Sequence, residues 1–288
     1  MFGDTPEKFS GYAQAQAVIL PIPYEQSTSF LKGTAQGPQA ILNAASQIEL
    51  FDEKLKREPF RMGIHVLPFM TISPDPEIFL SHVETEVFSH LKQNKLVVLL
   101  GGEHTITVGS VKAAKKLFPN LGVVQIDAHA DLRDSYQNNP FSHACAMRRV
   151  LDYAPLFQIG IRSLSKEEFS LIQEKKITTL FSHELSDRNL DSFFAKLPED
   201  IYLTIDLDGF DPAVVPGVGN PEPGGLNWEM VDHILEQISA RSKIRAFDIV
   251  ELRPLAEEAR SEITAARLLY RILGYSDRDH ALPDLEPS

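Results

Sequence analysis

Residues 121–131 read Leu121-Gly122-Val123-Val124-Gln125-Ile126-Asp127-Ala128-His129-Ala130-Asp131. The short apolar run, bounded by Gly, has the character of a buried strand. It ends in three metal-competent side chains at every second position. On an extended backbone alternate side chains fall on one side, so Asp127, His129 and Asp131 are expected to converge on one point. Three such groups aimed together are costly to bury unless a cation compensates them.

Outward from this stretch, strand-like and helix-like segments alternate. Apolar runs at 17–21 (AVILP), 62–67 (MGIHVL), 96–100 (LVVLL), 157–161 (FQIGI), 177–181, 201–205 (IYLTI) and 244–250 read as further strands. Pro38 opens a helical pattern, PQAILNAASQIELF, at a first-turn position that proline tolerates. Asp75–Leu91 is amphipathic, Thr105–Phe118 reads as helix, and Ser165-x-x-Glu168 is a capping box. Asn227 caps a helix running towards Ala240. A long helix over Glu257–Leu273 is expected to stop at Gly274, before a frayed polar tail over 276–288. About eight near-continuously apolar strands alternating with helices mean an α/β protein with a parallel sheet covered on both faces. No linker or repeat divides residues 1–288, so one domain is expected.

Composition narrows the partners. A net charge of −12 argues against nucleic acid and anionic membranes, and suits a cationic small substrate. The single cysteine, Cys145, excludes an intramolecular disulfide framework and points to a reducing cytoplasm. No apolar stretch approaches the ~18–20 residues of a membrane span, and the N-terminus lacks the pattern of a signal peptide.

Four polar groups directly follow four apolar strands: His104, the Asp127/His129/Asp131 set, Asp206 with Asp208, and Glu251. In parallel α/β sheets ligands bind at the carboxyl ends of the strands, so these groups are expected to meet there. Four Asp and two His form an oxygen-rich set with some imidazole, which suits manganese better than a structural zinc site. Six ligands exceed the need of one open ion. Two ions ~3.5–4 Å apart, sharing carboxylates, satisfy the set and acidify a water between them.

Taken in order, Gly-Gly-Glu-His104, Asp127-Ala-His129-Ala-Asp131, Ser142-His143, Asp206-Leu-Asp208-Gly-Phe-Asp-Pro212, the Gly217–Leu226 stretch and Glu251-Leu-Arg-Pro254 resemble the ureohydrolase family of arginases and agmatinases. The match runs from about Val18 to Leu273. The resemblance implies a three-layer αβα fold with an eight-stranded parallel sheet and two Mn2+ per subunit. It places His104 and Asp131 on one ion, His129 and Asp208 on the other, and Asp127 and Asp206 between them. Asp131 would also orient the nucleophile. Glu251 would hold the planar N–H donors of a guanidinium, and His143 would shuttle protons. Urea and an amine would be the products. Family members generally form trimers or hexamers, so a homo-oligomer is expected.

The substrate's far end is less fixed. Arginases place Asn two residues after the last ligand of the DxHxD motif, where this chain has Leu132-Arg133-Asp134. That stretch, with Ser142-His143-Ala144-Cys145 and Met147-Arg148-Arg149, resembles the prokaryotic agmatinase branch, making agmatine, cleaved to putrescine and urea, the first choice. N1-aminopropylagmatine stands second, then arginine or guanidinobutyrate. Arg133 would repel a cation unless Asp134 neutralises it, and Glu222 could face a cationic tail. Metal-dependent deacetylases share the architecture but usually keep one zinc, which the complete ligand set opposes. Cys145 reads as a packed thiol and Asp211 as a turn residue. His65, His82, His90, His183, His233 and His280 default to core or surface roles. Gly217-Val-Gly219 is not a dinucleotide loop, because Pro221 and Pro223 obstruct the helix such a loop must open.

Overall fold

A strand runs through every apolar segment marked out above. The computed structural model describes residues 1–277. Its strands are β1 (Ala17–Ile22), β2 (Ile64–Val66), β3 (Leu96–Gly101), β4 (Gly122–Ile126), β5 (Leu156–Ile161), β6 (Thr178–Phe181), β7 (Asp200–Asp206) and β8 (Lys243–Val250). All pair in parallel, in the order β2-β1-β3-β8-β7-β4-β5-β6. The helices are α1 (Gly37–Ala44), α2 (Pro76–Leu91), α3 (Ile106–Leu117), α4 (Ala146–Val150), α5 (Lys166–Lys175), α6 (Asp187–Phe194), α7 (Trp228–Arg241) and α8 (Arg260–Ser276).

Strand residues alternate between two cores. Ile19, Val98 and Leu100 pack on one face with Ile41, Val231, Ile234 and Leu268 from α1, α7 and α8. Val18, Leu20, Val97 and Leu99 pack on the other with Val83, Val87, Val111 and Ile172 from α2, α3 and α5. This is a three-layer αβα arrangement, and burial on both faces is why the strands read as continuous apolar runs rather than alternating ones. Among the described residues no helix is long and apolar enough to cross a membrane.

Helix starts follow their caps. The Asp75 carboxylate accepts the N–H groups of Glu77 and Ile78 ahead of α2, Ser165 and Glu168 close a reciprocal box at α5, and Asn227 accepts from Met230 at α7. The ends differ from expectation. The helix opened by Pro38 stops at Ala44 and tightens into a 3-10 turn over Ala45–Gln47, instead of reaching Phe51. The second strand is only Ile64–Val66, because Pro59–Met62 form a 3-10 turn. α8 starts at Arg260 rather than Glu257, and Gly274 does not stop it. A Cβ on Gly274 would stand 2.3 Å from Leu55 Cδ1 and 3.0 Å from Pro59 Cγ, so this glycine serves close packing. Ser276 ends the helix and Asp277 is buried, so the tail expected from 276 has not begun there. Residues 278–288, with His280, lie outside the described residues.

Candidate metal centre

The four strands followed by polar clusters, β3, β8, β7 and β4, are neighbours in the sheet, so their carboxyl ends bring those clusters together. The His104 ring is fully buried, with Nδ1 3.0 Å from Asp131 Oδ2, 3.2 Å from Asp127 Oδ2 and 3.4 Å from Asp206 Oδ2. His129 Nδ1 lies 2.9 Å from Asp208 Oδ2 and 3.8 Å from Asp127 Oδ1. Two groups able to hold a cation emerge, His104 with Asp127 and Asp206, and Asp127 with His129 and Asp208. Asp127 is common to both, and Asp131 joins the first through His104.

The convergence does not arise by strand alternation. β4 ends at Ile126, and Asp131 adopts a left-handed φ of 52°. Asp127 Oδ1 accepts the N–H of His129 at 2.6 Å, and Asp206 Oδ1 accepts that of Asp208 at 3.0 Å. Each Asp-x-(His/Asp) pair is thus a side-chain-closed turn, which bends the chain out of the strand and leaves the second oxygen facing the centre.

The electrostatics are those of crowded buried acids. Burial and the Asp208 charge push Asp127 up to about 7. Asp206 is held well above the carboxylate range by burial, then by Asp208 and Asp127. Burial opposes the charge on His129, but Asp208 outweighs it and lifts the imidazole to about 11. In turn His129 overcomes burial and keeps Asp208 below its ordinary range. His104 Nδ1, although close to three carboxylates, has no hydrogen-bond partner of acceptable geometry. An orphaned buried nitrogen surrounded by mutually repelling carboxylates fits divalent cations, and the oxygen-rich donors fit manganese.

Glu251 and His143 stand beside this cluster. Glu251 has a left-handed φ of 65°, and its Oε1 accepts the His104 backbone N–H at 3.0 Å. His143 Nδ1 lies 3.2 Å from the same oxygen, and its Nε2 3.1 Å from Ser29 Oγ. Burial disfavours charge on His143, yet the bond to Glu251 outweighs it and brings the imidazole to about 9. Both side chains line a cleft with His129, Asp131, Asp206 and Asp208.

Several cleft residues had no sequence assignment. Ser29 and Asn220 are bonded at 3.1 Å on its wall, and Tyr136 lies under the Arg133 guanidinium. Buried Glu103 accepts the N–H groups of Gln26 and Ser27 at 3.0 and 2.7 Å, and the Ser27 hydroxyl at 2.7 Å. Ser27 Oγ then accepts the His143 N–H at 2.8 Å, so Glu103 ties the 26–29 loop to His143. Buried Gln125 donates to Asp127 Oδ2 at 2.7 Å and accepts from Gln158 at 2.7 Å. The available signal was a polar residue inside an apolar strand, as in VVQI and FQIGI.

Arg133 is not neutralised by Asp134, which pairs instead with Arg149 at 2.6 Å. Its partner is Glu168, 3.8 Å from Nε, and its guanidinium stacks 5.1 Å from the Tyr136 ring. Glu222 Oε1 accepts from Ser163 Oγ at 3.0 Å and stands 3.9 Å from His129 Nε2. Asp211 accepts from the N–H groups of Ala213, Gly224 and Gly225, as a turn residue does. Cys145 is buried with Sγ 3.8 Å from the Asn139 carbonyl, and burial pushes its thiol to about 11, as a packed, unreactive thiol requires. His65 bonds the Ser10 carbonyl and His90 bonds Tyr12 and Glu86, remote from the centre.

The model of the Arginase family matches residues 15–274. An N(1)-aminopropylagmatine ureohydrolase of Synechocystis sp. is 38% identical over 280 residues, covering 93% of this chain and 92% of the relative. An agmatinase of Pyrococcus horikoshii is 36% identical over 274 residues, 92% of this chain and 93% of the relative. The crystal structure of the agmatine ureohydrolase of Thermoplasma volcanium superposes with a TM-score of 0.86 at 32% identity, over 96% of this chain and 95% of that one.

Proposed function

This chain belongs to the arginase family, and we propose that it hydrolyses the guanidinium group of an agmatine-type amine, releasing urea. The observation that carries this reading is the assembly of His104, Asp127, His129, Asp131, Asp206 and Asp208 into one buried cluster beside Glu251. On this reading the six residues would hold two Mn2+, Asp127 being the carboxylate common to both groups. Such a pair of ions supplies Lewis acidity and a water acidified enough to act as nucleophile near neutral pH.

The chain's own groups then divide the work. Among the described residues Glu251 uses only Oε1 for protein hydrogen bonds, which leaves Oε2 to accept guanidinium N–H donors. That contact fixes the planar head with its central carbon towards the carboxylate cluster. Asp131, on the cleft wall, orients the attacking water. His143, held between Glu251 and Ser29, gives a proton from its imidazole to the nitrogen that departs as amine.

Agmatine, with its remote ammonium, suits the chain's net charge of −12. The names of the relatives favour a second reading, the N1-aminopropyl extension, since the 38% identical protein carries that substrate in its name. The test is urea release by manganese-loaded protein from agmatine, N1-aminopropylagmatine, arginine and guanidinobutyrate. Urea from either polyamine precursor supports the proposal, and the higher kcat/KM selects between them. Urea from arginine alone, or acetate from an acetylated amine with no urea, would overturn it.

A further inference from the structure

One buried carboxylate stands behind the cluster, in contact with neither Glu251 nor the cleft. Asp248, near the carboxyl end of β8, is fully buried, and no Lys, Arg or His side chain bonds it among the described residues. Its partners are three hydroxyls. Tyr202 donates to Oδ2 at 2.6 Å and Thr107 to the same oxygen at 2.7 Å, while Thr204 donates to Oδ1 at 2.5 Å. Thr204 Oγ1 also lies 2.8 Å from His104 Nε2. β7 and β8 pair with Thr204 opposite Asp248, so the sheet itself sets this line of contacts.

With Asp248 ionised and His104 neutral, as an imidazole that ligates a metal must be, donor counting fixes the direction of the bonds from Asp248 to His104. An ionised carboxylate only accepts, so the single Thr204 hydroxyl proton goes to Asp248. The Thr204 oxygen then faces His104 with a lone pair, and Nε2 must bring the hydrogen. A neutral imidazole carries one N–H, so Nδ1 is left with its lone pair, directed at Asp127, Asp131 and Asp206. We propose that Asp248, acting through Thr204, is a positioning residue that sets the His104 tautomer so that Nδ1 faces the metal cluster as a ligand. The inference rests on the metal-centre reading above, and it concerns residues that touch neither ion nor substrate.

The isosteric Asp248→Asn substitution is the sharpest test. Tyr202 and Thr107 would keep the amide oxygen on their side, turning the amide N–H2 towards Thr204. Thr204 would then accept from Asn and donate to His104, which reverses the tautomer and places a hydrogen on Nδ1. Titration of each protein with Mn2+, with free ion read by electron paramagnetic resonance, gives the number and affinity of sites. Two ions are expected for the wild type. One of the two should bind about 10–100-fold more weakly in Asp248→Asn and Thr204→Val. The Thr204→Ser variant, which restores the hydroxyl, should recover wild-type affinity, a rescue that mere packing at this position does not predict. Wild-type affinity at both sites in Asp248→Asn overturns the inference alone. Should Thr204→Val not fold by circular dichroism, Asp248→Asn and Thr204→Ser decide. A wild type that binds no manganese overturns the metal-centre reading and this inference with it.

Discussion

His143 Nδ1 and Glu251 Oε1 are 3.2 Å apart, and that oxygen also accepts the backbone N–H of His104. One carboxylate therefore fixes the imidazole relative to the turn that carries His104, the histidine in contact with Asp127, Asp131 and Asp206. The proposed proton transfer needs that imidazole, whereas the carboxylate cluster does not. His143→Asn should lower kcat by about 10²–10⁴-fold, the usual worth of a positioned acid or base. Manganese stoichiometry should stay unchanged. A variant that keeps wild-type kcat on its best substrate would remove His143 from the chemistry.

Asp206 is a carboxylate that burial and its neighbours Asp208 and Asp127 make unfavourable to ionise. Its replacement by Asn should have opposite signs in two states. Without metal, Asp206→Asn relieves repulsion and should raise the melting temperature or leave it unchanged. With manganese in excess, the wild type should gain about 2.7 kcal/mol for each site at a free concentration 100-fold above its Kd, and the variant should lose most of that gain. Differential scanning calorimetry with and without a chelator reads both. A variant less stable than wild type in chelator, yet equally stabilised by manganese, would contradict the reading of Asp206 as a metal-facing acid.

Arg133 puts a positive charge on the wall of the cleft, and its only ion-pair partner among the described residues is Glu168 at 3.8 Å. Unit charges in water interact by about 1 kcal/mol at close range, or roughly fivefold in affinity. Arg133→Ala should therefore lower KM severalfold for a substrate with a cationic tail and raise it for guanidinobutyrate. Parallel shifts for both substrates would show that Arg133 acts through packing on Tyr136 instead of through charge.

Much of this was legible from residue order alone. Buried parallel strands advertise themselves as apolar runs, so all eight appeared in place, and the polar residues just past four of them marked where the carboxylate and imidazole cluster gathers. What stayed hidden depends on sheet order and on side-chain reach. Gln125, Gln158, Thr204 and Asp248 sit on separate strands, and only the neighbouring of β5 with β4 and of β7 with β8 joins Gln158 to Gln125, which bonds Asp127, and Asp248 to Thr204, which bonds His104. The pairing of Arg133 with Glu168 rather than adjacent Asp134 is equally non-local. Neither α4 nor α6 showed a clear pattern, since five and eight residues are too few for a helical period to establish itself.

A second buried ionic cluster makes the acid limb of stability predictable. Arg271, 2% exposed, bonds Asp52 at 2.7 Å and Asp232 at 2.9 Å, and Lys54 bonds Asp232 from the other side at 2.9 Å. Burial pulls the Asp232 carboxyl upward, but Lys54 and Arg271 outweigh it and hold it below its ordinary range. A depressed native pKa means stability that is complete above the unfolded value of about 3.9 and is lost as pH falls towards the native value. Asp232→Asn should be destabilised at neutral pH, by less than the about 3–5 kcal/mol of a buried charge left wholly unpaired, because Arg271 keeps Asp52 and Lys54 keeps Glu236. Its stability should also fall less steeply than wild type below about pH 4, where the wild type is losing this contribution. Denaturant unfolding measured from pH 3 to pH 7 tests both. Equal slopes in the two proteins would show that Asp232 does not govern the acid limb.

Gly274 sits inside α8, where alanine would normally be preferred by about 0.5–1 kcal/mol for its smaller loss of backbone entropy. Here a Cβ would meet Leu55 Cδ1 at 2.3 Å and Pro59 Cγ at 3.0 Å. Leu55 could rotate away, but Pro59 is rigid and opens the 3-10 turn leading to β2. Overpacking of this kind costs about 1–3 kcal/mol, which exceeds the helical gain. Gly274→Ala should therefore lower stability by about 1–2 kcal/mol in urea unfolding, with the manganese count untouched because the centre lies at the opposite, carboxyl end of the strands. Pairing it with Leu55→Ala, which clears the nearer contact, should recover part of the loss, whereas a stabilised Gly274→Ala single variant would return this glycine to the role of an ordinary helix-weakening residue.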